Sequence, residues 1–187
     1  TGSGQYALHM VCGNDCHTTR SGCYQFAHTI SYNAASIKNY VNYSSIVRCV
    51  NENSNSEYVF MIQNGKVFFP SVNISMNKCE YRSIYCYSFT DPNYVTGSFS
   101  YSSFADNNVT SSCFIYFASG GTKYEIKCSN ILRNAHDSSS GGIIGAYGYL
   151  MIEDSCILEN KANYIFYAYH SSYTITLSNC TVDSTSN

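Results

Sequence analysis

Six charged residues in the second half of the chain are the best candidates for acid–base chemistry. They are Asp106, Arg133, Asp137, Asp154, Glu159 and Asp183. Acid–base catalysis needs two such groups at one reacting bond, and Asp154 and Glu159 lie on different sides of a predicted turn. Four of the six share one position in successive sequence repeats, which favours an exposed charge column over a catalytic column: Asp106, Arg133, Glu159 and Asp183.

Cysteine and histidine could bind a metal or activate a nucleophile, but their spacing supports neither function. The segment Cys12-x3-Cys16-His17 looks like half of a zinc site. A zinc site needs a second ligand pair at suitable spacing, and none follows beyond Cys23 and His28. The five histidines share no repeat position, and no Gly-x-Ser-x-Gly or Cys–His signature occurs. The sequence therefore predicts no cofactor and no metal, and it favours a loop or cap with a disulfide at residues 12–16.

The ten cysteines are scattered along the chain and do not form pairs in sequence. An even number is typical of a secreted protein with disulfide bonds. The spacing fits equally well with free thiols that act as small inward-facing apolar residues. Connectivity cannot be read from sequence, so both interpretations stay open.

Tyrosine is the most unusual feature of the composition, with 19 residues among 187. The tyrosines beyond residue 80 are too numerous to fit in a thin core. Some of them are therefore expected to face outward and stack in columns. Exposed aromatic rings bind sugars or protein partners. The simpler alternative is that tyrosine only covers a sheet surface. The residues concerned are Tyr81, Tyr85, Tyr87, Tyr94, Tyr101, Tyr116, Tyr147, Tyr164, Tyr167, Tyr169 and Tyr173.

A sequence repeat must position these side chains. Its clearest copy is residues 140–160, with a Gly-Gly turn, a short apolar run, a second turn and an alternating strand. A four-residue pattern, apolar-x-x-polar, marks each copy, and its first residues are 28, 30, 27, 26 and 24 positions apart. The pattern occurs at residues 46–49, 74–77, 104–107, 131–134, 157–160 and, weakly, 181–184.

A period of 24 to 30 residues with short strands predicts an all-β solenoid. Leucine-rich repeats need a Leu-x-x-Leu-x-Leu consensus that is absent, propeller blades are longer, and helical repeats need a 3.6-residue period. A right-handed parallel β-helix of about five to six coils remains, the hand following from the preference of parallel crossovers. Residues 1–23 are predicted to be an irregular cap or edge, 24–184 the coils, and 185–187 a truncated tail.

Stacked coils would bring equivalent residues of the pattern into vertical contact. Ile74, Phe104, Ile131 and Ile157 are predicted to form one apolar stack. The asparagines three positions later are predicted to sit at a corner, where they can adopt a left-handed backbone and can also bond to one another as an amide ladder. The alternative is that they are exposed loop residues: Asn77, Asn107, Asn134 and Asn160.

Cys156 and Cys180 precede the four-residue pattern in the last two copies and are predicted to share one slot. Stacked strands lie about 4.8 Å apart, which suits a disulfide between them. The simpler interpretation is an inward stack of small residues, with Ser103 and Asn130 in the same slot.

Composition restricts the partners and the location of the protein. Charged residues make up 12% of the chain and the net charge is −2, so nucleic-acid binding is not indicated. No run approaches the 18 apolar residues of a membrane-spanning helix. Four glycosylation sequons weakly favour secretion: Asn42, Asn73, Asn108 and Asn179. The ends of the chain suggest a fragment of a longer protein.

Two segments carry a resemblance to a known repeat. Gly141-Gly142-Ile143-Ile144 resembles a Gly-Gly-Ala-Ile motif, and Phe104-Ala105-Asp106-Asn107 matches Phe-x-x-Asn, both of the chlamydial polymorphic outer-membrane protein family. That family is similar to autotransporter passengers, which are right-handed parallel β-helices used in adhesion at the cell surface. The low-charge composition looks more like related repeat proteins of parasitic protists such as trichomonads. The resemblance covers about residues 45–184.

These observations together favour a non-enzymatic extracellular or cell-surface scaffold for adhesion or structural assembly. A carbohydrate or protein partner is expected at a face rich in Tyr, Ser and Asn. One alternative is a carbohydrate-active β-helix, either lyase-like or sugar-binding. Another is a filament or sheath component that assembles through its coil ends. A fold of this class serves enzymes and inert rods alike, so the function needs the surface itself.

Overall fold

The computed structural model describes residues 5–18, 26–51 and 58–183, and its regular elements are all β-strands. The strands pair in parallel in four sheets, here named A to D. The chain passes through A, B, C and D in turn and then returns to A one level further along. This arrangement confirms the predicted parallel β-helix.

Sheets A and B meet at a tight corner and each contain seven strands. The strands of sheet A, in stacking order, are β1 (Ala7–His9), β5 (Lys38–Asn42), β9 (Lys66–Pro70), β13 (Val95–Ser100), β17 (Lys123–Lys127), β21 (Tyr149–Glu153) and β24 (Ile175–Ser178). Those of sheet B are β2 (Cys12–Asn14), β6 (Ser45–Val47), β10 (Asn73–Ser75), β14 (Ser103–Ala105), β18 (Asn130–Leu132), β22 (Cys156–Leu158) and β25 (Thr181–Val182).

Sheets C and D complete the circuit. The strands of sheet C are β3 (His17–Thr18), β7 (Val50–Asn51), β11 (Lys78–Cys79), β15 (Asn108–Val109) and β19 (Ala135–His136). Those of sheet D are β4 (Ala27–Ile30), β8 (Tyr58–Gln63), β12 (Arg82–Tyr87), β16 (Ile115–Phe117), β20 (Ile144–Ala146) and β23 (Phe166–Ala168). Five successive coils of the described chain thus carry a strand in every sheet, in agreement with the predicted number.

The coils become shorter towards the end of the chain, although not at every step. Residues in contact between adjacent coils are 33 positions apart at the first step, then 28, 30, 27, 26 and 25. The four-residue pattern predicts 24 for the last step, because it aligns Thr181 with Ile157. The observed register instead pairs Ile157 with Val182, which is the apolar residue that continues the inward stack.

The N-terminal segment differs from the prediction of an irregular cap. Residues 7–18 form β1, β2 and β3, which pair in register with β5, β6 and β7 of the next coil. Leu8 is half-buried, whereas its stacking partner Val41 is fully buried. Residues 185–187 and Cys23 lie outside the described residues.

The core consists of vertical stacks of equivalent residues. Sheet B aligns Ile46, Ile74, Phe104, Ile131 and Ile157, each at most 1% exposed. In sheet A, the rings of Phe69 and Phe99 stack with their centroids 4.3 Å apart. Burial of each such side chain contributes roughly 1.5–3 kcal/mol. The predicted stack of Ile74, Phe104, Ile131 and Ile157 is present.

Two corners, A to B and B to C, each turn on one residue with a left-handed backbone. At the A–B corner these residues have φ between 49° and 57°. At the B–C corner φ lies between 52° and 59°, and the residues include Met76, Asp106, Arg133 and Glu159. The left-handed residue of this corner was predicted to be the asparagine, and this prediction is wrong by one position. The asparagine follows the turning residue, because its side chain must point inward.

Candidate binding surface

The four predicted asparagines form a continuous ladder inside the B–C corner. Nδ2 of each donates to Oδ1 of the next, at 3.0 Å from Asn77 to Asn107, 2.9 Å from Asn107 to Asn134 and 3.0 Å from Asn134 to Asn160. Each Oδ1 also accepts the backbone N–H of the residue one coil below, as Asn134 does from Asn107 at 3.1 Å. The ladder satisfies backbone groups that the corner removes from the sheets, and it holds adjacent coils together.

A second ladder, of serines, lines the A–B corner, and the sequence analysis did not anticipate it. The Oγ of Ser102 accepts the backbone N–H of Val72, Ser129 accepts that of Ser102, and Ser155 that of Ser129, at 3.3, 3.2 and 3.1 Å. Each hydroxyl donates in turn to a carbonyl two residues earlier. The signal was present in the sequence: these serines stand two residues before the apolar residue of the pattern.

The predicted disulfide between Cys156 and Cys180 is wrong. Cys156 pairs with Thr181 in the outward-facing part of sheet B, while Cys180 stacks on Ser155 in the serine ladder. The one-residue shift of the last coil, which places Val182 over Ile157, separates the two thiols. Every cysteine in the described part of the chain is a free thiol.

The predicted charge column is present in part. Asp106 and Arg133 form a two-point ion pair, with Nε–Oδ1 and Nη2–Oδ2 both at 2.8 Å, and the guanidinium lowers the pKa of Asp106. Glu159 follows in the same column. Asp183 does not, because the shifted register places it beside Leu158, where its carboxylate accepts the N–H of Glu159.

The remaining candidates do not converge. Asp154 lies at the A–B corner and accepts a hydrogen bond from Asn179, and Asp137 follows β19. Within the described ranges, no three His, Cys, Asp or Glu side chains form a group that could hold a metal ion. Cys12, Cys16 and His17 belong to the first coil, in β2, the B–C corner and β3.

The glycosylation sequons differ in accessibility. Asn73 and Asn179 are exposed, whereas Asn42 and Asn108 are half-buried. Asn42 contacts the ring of His9 through its Oδ1, at 3.0 Å from Nδ1. The geometry therefore favours Asn73 and Asn179 as acceptors. The described part of the chain has no helix that could cross a membrane.

The outer side of sheet D carries a continuous row of aromatic rings. Strand alternation points Ile84 and Cys86 into the core and Tyr85 outward, and Tyr85 aligns with Tyr116 of the next coil. Consecutive ring centroids along the row lie between 4.7 and 6.1 Å apart. We call this row the tyrosine belt; its members are Tyr58, Tyr81, Tyr85, Tyr116, Tyr164, Tyr167 and Tyr169.

A glycine makes the belt continuous. Gly145 occupies the outward position of β20, between Tyr116 and Tyr167 in register. A Cβ atom there would lie 2.3 Å from Sγ of Cys113 and 3.0 Å from the ring of Tyr169. The absence of a side chain lets Tyr169, from the following loop, lie between its two neighbours.

Arg82 is the cation of the belt. Its central carbon lies 4.4 Å from the ring centroid of Tyr81 and 4.1 Å from that of Tyr116, as cation–π contacts. Its Nε donates to Oγ of Ser112 at 3.1 Å, and Nη1 donates to the hydroxyl of Tyr58 at 3.3 Å. Among the described residues no carboxylate forms an ion pair with it.

Burial raises the pKa of three hydroxyls in the belt. It raises the pKa of Tyr85 to about 12, with smaller contributions from neighbouring tyrosines and an opposing one from Arg82. Burial likewise raises the pKa of Tyr116 and Tyr169. Around neutral pH these groups are therefore hydrogen-bond donors and acceptors, and none carries a negative charge that would neutralise Arg82.

An open groove lies on sheet A, away from the belt. Its volume is about 330 Å³, and its lining includes Lys123, Glu125, Tyr149, Met151 and Thr176. Glu125 is held by Lys127, with Nζ–Oε1 at 2.8 Å, and Lys127 also pairs with Glu153 at 2.9 Å. The groove thus offers the exposed ring of Tyr149 beside a small charged network.

No protein-family model, no curated protein and no solved structure matches this chain.

Proposed function

We propose that this chain is a rigid, non-enzymatic scaffold of an extracellular or cell-surface protein, and that its tyrosine belt binds a partner during adhesion. The belt is the observation that carries the proposal. Tyr81 and Tyr164, near its two ends, are 38% and 48% exposed, Tyr85, Tyr167 and Tyr169 are half-buried, and Tyr58 and Tyr116 are buried. The belt therefore presents part of its aromatic surface to solvent, mainly at its ends. Such surfaces on soluble proteins mark interaction sites.

The scaffold supports this role by holding the rings in place. The asparagine and serine ladders bond each coil to the next at two corners, and strand pairing joins the coils within sheet D, so the rings stand on a hydrogen-bonded framework. A surface that is ordered before binding loses less conformational entropy on binding. The resemblance of residues 104–107 and 141–144 to the chlamydial outer-membrane family supports the surface location.

A carbohydrate fits the belt better than a folded protein partner. Ring faces stack on the apolar faces of sugars, while protonated tyrosine hydroxyls hydrogen-bond to sugar hydroxyls. The rings form a row along the axis, which suits an elongated partner such as a chain of sugar units. Tyr85 and Tyr116 are in register in successive coils, and Tyr169 fills the gap that Gly145 leaves between Tyr116 and Tyr167.

Binding to a glycan array tests the proposal. The variants Tyr85→Ala and Tyr167→Ala should lower the apparent affinity for the bound glycan by about tenfold or more, as loss of a central aromatic contact does. Tyr101→Ala is the matched control, because Tyr101 is 70% exposed at the A–B corner and outside the belt. Equal losses for all three variants would refute a role of the belt.

The groove on sheet A favours a second function, a carbohydrate-active β-helix. Tyr149 could stack on a sugar beside Lys123 and Glu125. Incubation with acidic and neutral polysaccharides, followed by chromatography of the products, tests for cleavage. Activity that is lost in Glu125→Gln and kept in Glu80→Gln would support the enzyme and contradict the inert scaffold.

Assembly through the coil ends stays a third proposal. Among the described residues β24 is the last strand of sheet A, and its Leu177 is 39% exposed. Electron microscopy and size-exclusion chromatography over a range of concentrations test it. A monomer at every concentration contradicts a filament.

A further inference from the structure

We propose that the tyrosine belt contains a site for an acidic sugar, a ring bearing a carboxylate or sulfate group, with Arg82 as the residue that binds the acidic group. This inference rests on the proposed function of the belt and adds its ligand class. It follows from the charge balance, the free donors of Arg82 and its surroundings.

Among the described residues, no carboxylate is a counter-ion for Arg82. Two other arginines of the described chain do form ion pairs. Arg48 pairs with Asp15 at 2.9 Å and Arg133 with Asp106 at 2.8 Å, and both arginines are exposed. Arg82 is half-buried, and its surroundings are neutral tyrosines and a serine. A partly desolvated cation without an anion raises the free energy of the unbound protein. An anionic ligand therefore gains more binding free energy from Arg82 than from an exposed arginine.

The geometry leaves donors for that ligand. Two N–H groups are used, by Ser112 and Tyr58, and the cation–π contacts with Tyr81 and Tyr116 use none. The other guanidinium N–H groups have no partner among the residues that the structure describes. Guanidinium N–H groups bind carboxylate or sulfate through two parallel hydrogen bonds.

The surroundings favour a sugar over an acidic peptide. Tyr169 and Ser112 share a hydrogen bond at 3.2 Å, so hydroxyl groups border Arg82 on the side of the next coils. Ring faces continue from Tyr85 and Tyr116 in both directions along the axis. An acidic peptide offers several charges to be neutralised, but the belt has a single cation, and the chain as a whole has a net charge of −2.

The inference is tested by measuring, with interferometry at physiological salt, how tightly the purified chain binds four polymers. They are polygalacturonate, dextran sulfate, unsulfated dextran and poly-glutamate. We expect one or both acidic glycans to bind at least about tenfold more tightly than dextran. Arg82→Met should remove that difference, and Arg82→Lys should restore part of it. Arg133→Met, with the same change in net charge away from the belt, should have no effect. Circular dichroism checks that each variant is folded.

Each other result has a defined meaning. Equal binding of dextran and acidic glycans, unaffected by Arg82→Met, overturns the acidic-sugar site and leaves the belt as a neutral sugar surface. Tight binding of poly-glutamate overturns the choice of sugar. Equal losses in Arg82→Met and Arg133→Met mean long-range attraction and overturn the site. Absence of glycan binding overturns the inference, and the proposed function fails with it only if belt-dependent cell adhesion is also absent.

Discussion

The asparagine ladder makes the strongest prediction about stability, and Asn134 is its most informative member. Asn134 is fully buried and has ladder neighbours on both sides. Its Oδ1 accepts from the backbone N–H and the Nδ2 of Asn107, and its Nδ2 donates to Oδ1 of Asn160 and to the carbonyl of Phe104. Asn134→Ala removes all of these bonds and leaves the Asn107 N–H without an acceptor.

The expected loss follows from these contacts. A buried N–H group without a partner costs about 1–3 kcal/mol, and each of the other hydrogen bonds contributes about 1 kcal/mol net. Asn134→Ala should therefore lower the free energy of unfolding by about 4–6 kcal/mol, or the Tm by about 10–20 °C for a chain of this size. Urea titration followed by far-UV circular dichroism measures this loss.

Asn130→Ala is the matched control. Asn130 lies four residues earlier, with an exposed side chain that faces away from the core, so its removal should change stability by less than about 0.5 kcal/mol. The double variant of Asn107 and Asn134 should lose less than the sum of the two single losses, because both truncations remove the same bonds. A loss below about 1 kcal/mol for Asn134→Ala would refute the view that the ladder holds the coils together.

Three further predictions concern the corners and the core. Ser129→Ala breaks the serine ladder and should cost about 1–2 kcal/mol in the same titration, whereas Ser103→Ala, in the half-buried outer column, should cost little. At Cys128, with a φ of 49°, Val should destabilise by about 1–2 kcal/mol and Asn should be neutral or stabilising; equal stabilities would contradict a left-handed corner. Burial lowers the pKa of His136, against an opposing effect of Asp137, so the unfolded chain binds a proton at higher pH than the folded chain. Stability should fall as the pH decreases below about 6.5, and His136→Val, which continues the inward stack of Val109, should weaken this dependence in thermal unfolding at pH 5 and 7. An unchanged pH dependence in His136→Val would show that other groups cause it.

The sequence by itself determined the repeating architecture and the contents of the B–C corner. In a stack of coils, a residue and its equivalent one period later are vertical neighbours, so spacing alone predicts their contact. Phe104 over Ile74 and Asn134 over Asn107 follow from this rule. It needs only short apolar and polar patterns, which are local properties of the chain.

Only the tertiary structure decided the features that depend on exact register and on loops. The one-residue shift that places Val182 over Ile157 separates Cys156 from Cys180. The shift puts an apolar side chain in the core, and the four-residue pattern carries no information about how the core is filled. The belt is continuous because the ring of Tyr169, which follows β23, packs over Gly145 and contacts Tyr116. Loop conformation and the free donors of Arg82 arise from packing between distant segments, and a repeat pattern carries no information about such packing.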